Sequence, residues 1–379
     1  MNGPFDALHA DLAALAGKAR LRALQPRGGI DFASNDYIAL AGDPRLRKAV
    51  AEALERGVPV GAGGSRLLRG NAPEHEALEE DAARFFGCEA ALYLANGYGA
   101  NSALISTLPQ RGDLVVYDRL IHASVHEGLR MTRAERAVAE HNDVASFAEV
   151  IAAWRAGGGA GRVWIVVESL YSMDGDRAPL PELMALADAN DAVLIVDEAH
   201  ATGVFGPDGR GLAAELDGRE NAIVLRTCGK ALGCEGALVC GPQVVKDMLI
   251  NRGRGFIFST APSPLMAAAV REALRICADE PERRERLTAL IDHATEALAP
   301  LGVAASGSQI VPIVIGADAE AMAIAGALQE AGFDIRGIRP PTVPRGTARL
   351  RLSLTLNATP QDVTALCEAL SEIRSKQLV

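Results

Sequence analysis

Six short apolar runs constrain the fold of this chain more than any other feature. They lie at Ala91–Leu94, Leu114–Tyr117, Val163–Val167, Val193–Val196, Ile223–Arg226 and Ala237–Val239. Several are continuous rather than alternating, which is the pattern of strands covered on both faces of a parallel sheet. Helical patterns separate them. One begins near Asn71, has Pro73 close to its first turn, and puts Leu78, Ala82, Phe85 and Phe86 on one face. Another runs from about Pro181 to Asn190. Strand–helix alternation of this kind predicts an α/β domain.

The pattern changes after Pro264. Helical periodicity fills the region from Leu265 to about Leu298. A strand (Ile310–Ile315), a helix (Ala319–Ala331), two further strands (Asp334–Ile338 and Ala348–Leu354) and a final helix from about Thr359 follow. The expected organisation is an N-terminal helix and extended segment over 1–40, a large α/β domain with a mostly parallel sheet over 41–264, and a smaller C-terminal α+β domain over 265–379. A length of 379 residues suits one large domain and one small.

Several function classes are disfavoured. The formal net charge is −10, which does not suit a dedicated nucleic-acid or anionic-membrane binder. The long charge-free stretch Ala90–Gln110 is broken by Asn96, Gly97, Gly99, Asn101 and Pro109, so it does not read as a membrane span. Asp6, His9 and Asp11 stand where a secretory signal needs a basic start and an apolar run. The six cysteines contain no C-x-x-C pair and read as reduced thiols of a cytoplasmic protein. No metal site is expected. Gly-x-Ser-x-Gly and His-Glu-x-x-His are both absent.

Five places can carry chemistry, and each has a plainer reading. Lys230, between glycines in Thr227-Cys228-Gly229-Lys230-Ala231-Leu232-Gly233, can form a Schiff base with an aldehyde, or it is a solvated loop lysine. Asp197 ends an apolar strand, where α/β folds place ligands, and can hold a pyridine nitrogen protonated, or it caps a helix. His200 lies three residues on and can donate to a phenolate oxygen. Asn96-Gly97-Tyr98-Gly99 follows a strand and precedes a short apolar helix of about Ala103–Thr107, so its amides can bind a phosphate; otherwise it is an ordinary turn. Thr227 can add a hydroxyl. His122 can stack on an aromatic ring, or is structural. Arg349, Arg351 and Ser353 share one face of an alternating strand, as a carboxylate fork or as a solvated face.

Taken in order, these features resemble the fold-type I pyridoxal-phosphate enzymes, and within them the α-oxoamine synthases. The likeness runs from Asp31-Phe32-Ala33-Ser34-Asn35-Asp36-Tyr37 to the last helix, and includes His141-Asn142-Asp143, Glu168–Asp176 and Phe258–Pro262. The stretch Ile338–Leu352 looks most like members that join L-alanine to a pimeloyl thioester.

The resemblance implies a PLP-dependent transferase fold with pyridoxal 5'-phosphate on Lys230. Asp197 would pair with the ring nitrogen, and His200, helped by Ser172, with the ring oxygen. His122 would stack on the ring. Gly97, Tyr98 and Thr227 would hold the phosphate. Ser259 and Thr260 would reach it from a neighbouring subunit, giving a homodimer with shared sites. Arg22, Asn35, Thr342 and Arg351 match substrate-contacting positions, with Arg351 the better match for a carboxylate than Arg349. The implied reaction is decarboxylative condensation of L-alanine with an acyl thioester, carried by coenzyme A or by a carrier protein. A glycine-using synthase with a different acyl group is the rival, and a catalytically silent relative a more distant one. Two departures bear on acyl specificity: the carboxylate in Cys234-Glu235-Gly236, and Leu67-Leu68-Arg69-Gly70-Asn71.

Overall fold

The computed structural model describes residues 3–377. In chain order the elements are α1 (Asp6–Ala16), β1 (Ile30–Asp31), α2 (Pro44–Glu55), α3 (Pro73–Phe86), β2 (Ala90–Leu94), α4 (Gly97–Thr107), β3 (Leu114–Asp118), α5 (Ala123–Met131), β4 (Glu135–Ala139) and α6 (Val144–Ala156). They continue with β5 (Val163–Glu168), α7 (Leu180–Ala189), β6 (Val193–Asp197), β7 (Ala222–Thr227), β8 (Ala237–Gly241), α8 (Gln243–Arg252), α9 (Arg254–Ile257), α10 (Pro264–Asp279) and α11 (Pro281–Leu298). The last are β9 (Ile310–Gly316), α12 (Asp318–Glu330), β10 (Phe333–Asp334), β11 (Arg336–Ile338), β12 (Ala348–Ser353) and α13 (Pro360–Gln377).

Contacts divide the chain into two compact units. One comprises Ile38–Ser172 and Asp176–Arg284; the other holds the residues up to Tyr37, Met173–Gly175, and those from Glu285 on. The division falls after Arg284 rather than after Pro264, because α10 packs on α2 and α3 and stays with the larger unit. The N-terminal segment groups with the C-terminal residues rather than standing apart, since β1 pairs in parallel with β10.

The larger unit is built on a seven-stranded sheet of order β2-β8-β7-β6-β5-β3-β4. Only β8 runs antiparallel to its neighbours. All six expected strands are present. The sheet adds β4, whose Glu135, Arg136 and Val138 are exposed at the edge, so it lacks the apolar run that marks the others.

Alternation sends successive residues to opposite faces. Leu114, Val116, Ile165, Val167, Leu194, Val196 and Val224 enter one core with α6 and α7. Val115, Val166, Ile195, Ile223 and Leu225 enter the other with α4, α5 and α8. Two buried faces explain why these strands read as continuous apolar runs. Alternation also places the polar residues that end the strands. Glu168, Asp197 and Thr227 continue the α4/α5 face, whereas Asp118 and Arg226 continue the other.

The smaller unit carries an antiparallel sheet of order β11-β12-β9. Every residue of β12 is buried, Arg349 and Arg351 included, so its polar face is not solvated. No helix among the described residues is long and apolar enough to cross a membrane.

Candidate active site

The carboxyl ends of β2, β3, β5, β6 and β7 lie on one edge of the large sheet, and antiparallel β8 begins there. This edge is where open α/β sheets bind ligands. A cavity of about 580 Å³ opens at it. Of the residues the sequence singled out, Gly97, Tyr98, His122, Asp197, His200, Thr227 and Lys230 line it together.

The helix after β2 is longer than expected. It begins at Gly97 itself, with Asn96 as cap; the Asn96 Oδ1 accepts from Gly99 N at 2.7 Å. Gly97 and Tyr98 therefore form the first turn, whose N–H groups have no intrahelical partner and whose dipole favours an anion. Gly97 is dictated by space: a Cβ there would stand 2.6 Å from Thr227 Cγ2.

Lys230 sits in a tight loop between β7 and β8, closed by Cys228 N to Gly236 O (2.9 Å) and Gly233 N to Lys230 O (2.8 Å). Its Nζ is 3.0 Å from His200 Nε2. Gly236 adopts φ +102 and packs against the Tyr93 ring, where a Cβ would meet Cε2 at 2.3 Å. Thr227 donates its hydroxyl to Ala199 O at 3.2 Å. Asp197 is buried; its Oδ1 accepts from Ala199 N at 2.9 Å and its Oδ2 from Asn101 Nδ2 at 2.7 Å.

His122 caps α5 and its Nδ1 lies 2.8 Å from Ser124 Oγ. Desolvation lowers its pKa against the pull of the Asp197 carboxylate, and the Lys230 charge lowers it further, so the ring facing the cavity is neutral. Tyr98 meets it edge-on.

Asn101, Ser124 and Glu168 line the cavity and were not anticipated. The signal for Glu168 was strand alternation: it has the parity of Val166, as Asp197 has that of Ile195. Burial, reinforced by Asp197, raises the Glu168 pKa well above the carboxylate range, and its Oε1 is a buried acceptor without a protein partner. Asn101 was hidden because nothing local marks a helical Asn as facing a strand end. Glu235 also lines the cavity and is exposed.

Ser172, Ser259 and Thr260 do not line this cavity. Ser172 N donates to Glu168 Oε2 at 3.2 Å. Ser259 and Thr260 border a separate small pocket with Arg66 and Phe256. Arg22, Asn35, Thr342 and Arg351 belong to the smaller unit. There Arg351 donates to Ser353 Oγ (2.6 Å) and Asn35 Oδ1 (3.2 Å), whereas Arg349 is paired with Asp174 at 2.5 Å. Arg22 Nη2 lies 3.4 Å from Thr342 Oγ1.

The cavity fits pyridoxal phosphate. A first turn with open N–H groups and a glycine that admits close approach suits a phosphate. An aspartate fixed by two donors suits a pyridinium, and a half-buried lysine suits an aldehyde.

Comparison with known proteins agrees. Residues 27–370 match the model of the aminotransferase class I and II family. The 8-amino-7-oxononanoate synthase of Anaeromyxobacter dehalogenans is 42% identical, over 98% of this chain and 96% of the relative. That of Geobacter sulfurreducens is 43% identical, over 97% and 94%. Among solved structures, the serine palmitoyltransferase of Sphingomonas wittichii superposes with a TM-score of 0.88 at 28% identity, covering 100% of this chain and 99% of that one. An 8-amino-7-oxononanoate synthase from Francisella tularensis gives 0.78 at 26% identity, over 93% and 99%.

Proposed function

The chain belongs to the aminotransferase class I and II family, and on that premise we propose that it makes 8-amino-7-oxononanoate for biotin synthesis, condensing L-alanine with a pimeloyl thioester and releasing CO2 and a free thiol. The observation that carries this reading is the convergence of Lys230, His200, Asp197 and the first turn of α4 on one cavity. Pyridoxal phosphate supplies an aldehyde for the amino group and a protonated ring that withdraws electrons from Cα.

The chain's own residues do the rest. Lys230 would hold the cofactor through its aldehyde, and its Nζ, when free, would serve as the base that accepts the Cα proton. The contact with His200 Nε2 at 3.0 Å orients that Nζ. Asp197 keeps the ring nitrogen protonated, and Asn101 and Ala199 N fix the direction of its two oxygens. Neutral His122 presents a flat face without adding a cation to compete for Asp197. The amides of Gly97 and Tyr98, with the Thr227 hydroxyl, bind phosphate oxygens. His200, helped by Ser172, takes the ring oxygen.

In the smaller unit, Arg351 receives the amino-acid carboxylate. Its Nη1 donates to Ser353 Oγ and its Nη2 to Asn35 Oδ1, whereas Arg349 is paired with Asp174. Asn35, Arg22 and Thr342 complete the substrate contacts. Ser259 and Thr260 act across a homodimer, a role supported by their position off this chain's own cavity. The location is the cytoplasm, in keeping with the six free cysteines.

The test is a titration of the holoenzyme with L-alanine and, separately, with glycine, followed by pimeloyl-CoA, reading visible absorption and product mass. A spectral response to L-alanine and a product of the mass of 8-amino-7-oxononanoate are expected. A response to glycine alone would replace this reading with a glycine-using synthase.

A further inference from the structure

Arg226 is wholly enclosed in the larger unit, at 0% exposure, yet its guanidinium is only partly matched. Its Nη2 donates to both oxygens of Asp217, at 2.8 and 2.9 Å, and lies 3.4 Å from Arg210 O. Its Cζ stands 4.0 Å from the centroid of the Phe86 ring. Its Nε and Nη1 are buried and have no hydrogen-bond partner. A buried guanidinium in this condition is costly unless a further anion lies beside it.

What the fold brings there is sulfur. In the antiparallel pair β7–β8, Val224 stands opposite Cys240 and Arg226 opposite Leu238. Residues opposite one another leave the same face of a sheet, so Cys240 is a diagonal neighbour of Arg226. It is 1% exposed. Cys88 arrives from α3. That helix ends at Phe86, Gly87 turns the chain with φ +75, and Cys88 N donates back to Ala83 O at 3.0 Å. Two residues on, β2 begins, with Ala91 opposite Cys240. Cys88 is half-buried, its Sγ 3.3 Å from Ala90 O. A hydrogen bond from the Cys240 side chain draws the Cys88 pKa below the ordinary thiol value; burial opposes this, and the Arg226 charge assists it. The same contact, followed by burial, pushes the Cys240 thiol well above its ordinary range.

We propose that Cys88 and Cys240 form an oxidation site, in which Cys88 meets a hydroperoxide and Cys240 resolves it to a disulfide joining the start of β2 to the end of β8. The inference is independent of the acyl-transfer reading. A reachable thiolate beside a cation, with a second thiol in contact, is the arrangement of a redox-sensing cysteine. The Cys88 thiolate attacks one peroxide oxygen and the O–O bond breaks. Two electrons pass from sulfur to the peroxide, and the departing hydroxide takes a proton from solvent, leaving a sulfenic acid and water. The Cys240 sulfur then attacks the Cys88 sulfur. The S–O bond breaks, the S–S bond forms, and the Cys240 proton leaves with the hydroxide as a second water. Two thiols lose two electrons and two protons, and one peroxide becomes two waters. Neither sulfur lines the candidate active site; Cys234 does, and is the competing thiol.

The test treats the folded holoenzyme with hydrogen peroxide, blocks the remaining thiols with N-ethylmaleimide, and maps the cysteines by peptide mass. A Cys88–Cys240 cross-linked peptide is expected, two hydrogens lighter than the sum of its parts and reversed by dithiothreitol. Cys240→Ser should give no cross-link and should leave a sulfenic acid on Cys88 that dimedone traps. Cys88→Ser should give no cross-link and leave Cys240 unoxidised. Arg226→Met, which removes the charge, should slow oxidation of Cys88 at least tenfold. Should that variant fail to fold, the parent and the two serine variants decide the matter. Oxidation of Cys234 or another thiol with Cys88 untouched overturns the proposal. So does a Cys88–Cys240 link that forms only in denaturant, or a Cys88 that is oxidised in Cys240→Ser and in the parent alike without ever being resolved.

Discussion

The side-chain nitrogen of Asn101 stands 2.7 Å from Asp197 Oδ2, joining the second turn of α4 to the end of β6 across 96 residues of sequence. The same Nδ2 reaches Ser124 Oγ at 3.0 Å, and Ser124 Oγ lies 2.8 Å from His122 Nδ1. The two groups expected to touch the cofactor ring, one at its nitrogen and one on its face, are thus held by a single buried amide.

Asn101→Ala breaks this link and leaves the buried carboxylate one donor short. A hydrogen bond to a charged group contributes about 1.5–3 kcal/mol, so kcat should fall about 10- to 100-fold. Steady-state kinetics of the cofactor-loaded variant checks this. Asn101→Asp should be worse, because a second carboxylate beside Asp197 favours its protonation and the loss of the ring-nitrogen partner. A variant with parental kcat would show that Asp197 needs no support from α4.

Lys230→Arg keeps a cation in the loop but removes the nucleophilic amine. Turnover should drop to background. Borohydride treatment followed by peptide mass analysis should find a cofactor adduct on Lys230 in the parent and none in the variant. Thermal stability should stay close to parental, since the Lys230 side chain is half-buried and the substitution keeps its charge.

Much of this site was legible because strand ends, glycines and a lysine loop leave local marks. Asp197 follows four apolar residues, and Lys230 stands between glycines. What was not legible depends on side chains meeting across the sheet edge. Asn101 reads as an ordinary helical residue until α4 is laid beside β6. Glu168 could have been found from parity with Val166, once both faces of the sheet were known to be buried. β4 escaped notice because an edge strand needs only one covered flank and carries charge where central strands carry Val and Ile. The polar face of β12 looked solvated by alternation alone; it is buried because its arginines find Asp174, Asn35 and Ser353 within the smaller unit.

His141 gives a pH dependence of stability. Its Nδ1 lies 2.9 Å from Asp118 Oδ1 and its Nε2 2.7 Å from Asp176 Oδ2. Burial opposes its charge, but the two carboxylates prevail and raise its pKa to about 10. Because the folded value exceeds the unfolded one, the stabilisation is complete below about pH 6.5 and is lost as pH rises through about 10. Denaturant unfolding between pH 6 and 10.5 should show a decline of a few kcal/mol, and His141→Gln should remove most of that slope. A parent whose stability is flat across this range would disprove the clamp.

The last prediction concerns the contact between Gly97 and Thr227. An alanine at 97 would bring its Cβ to 2.6 Å from Thr227 Cγ2, inside any real carbon–carbon contact. The first turn of α4 or the end of β7 must then move, and both supply the proposed phosphate contacts. Gly97→Ala should weaken pyridoxal-phosphate affinity by about 10- to 100-fold, equivalent to about 1.4–2.8 kcal/mol, measured by fluorescence titration of the apoenzyme. Thr227→Ser removes the obstructing methyl and keeps the hydroxyl, so the double variant should bind more tightly than Gly97→Ala alone. Gly99 is the internal control: its added Cβ would meet Asn96 Oδ1 at 3.3 Å, a contact a small side-chain shift can absorb. Failure of Thr227→Ser to restore affinity would mean that the glycine is needed for the backbone itself and not for the space beside Thr227.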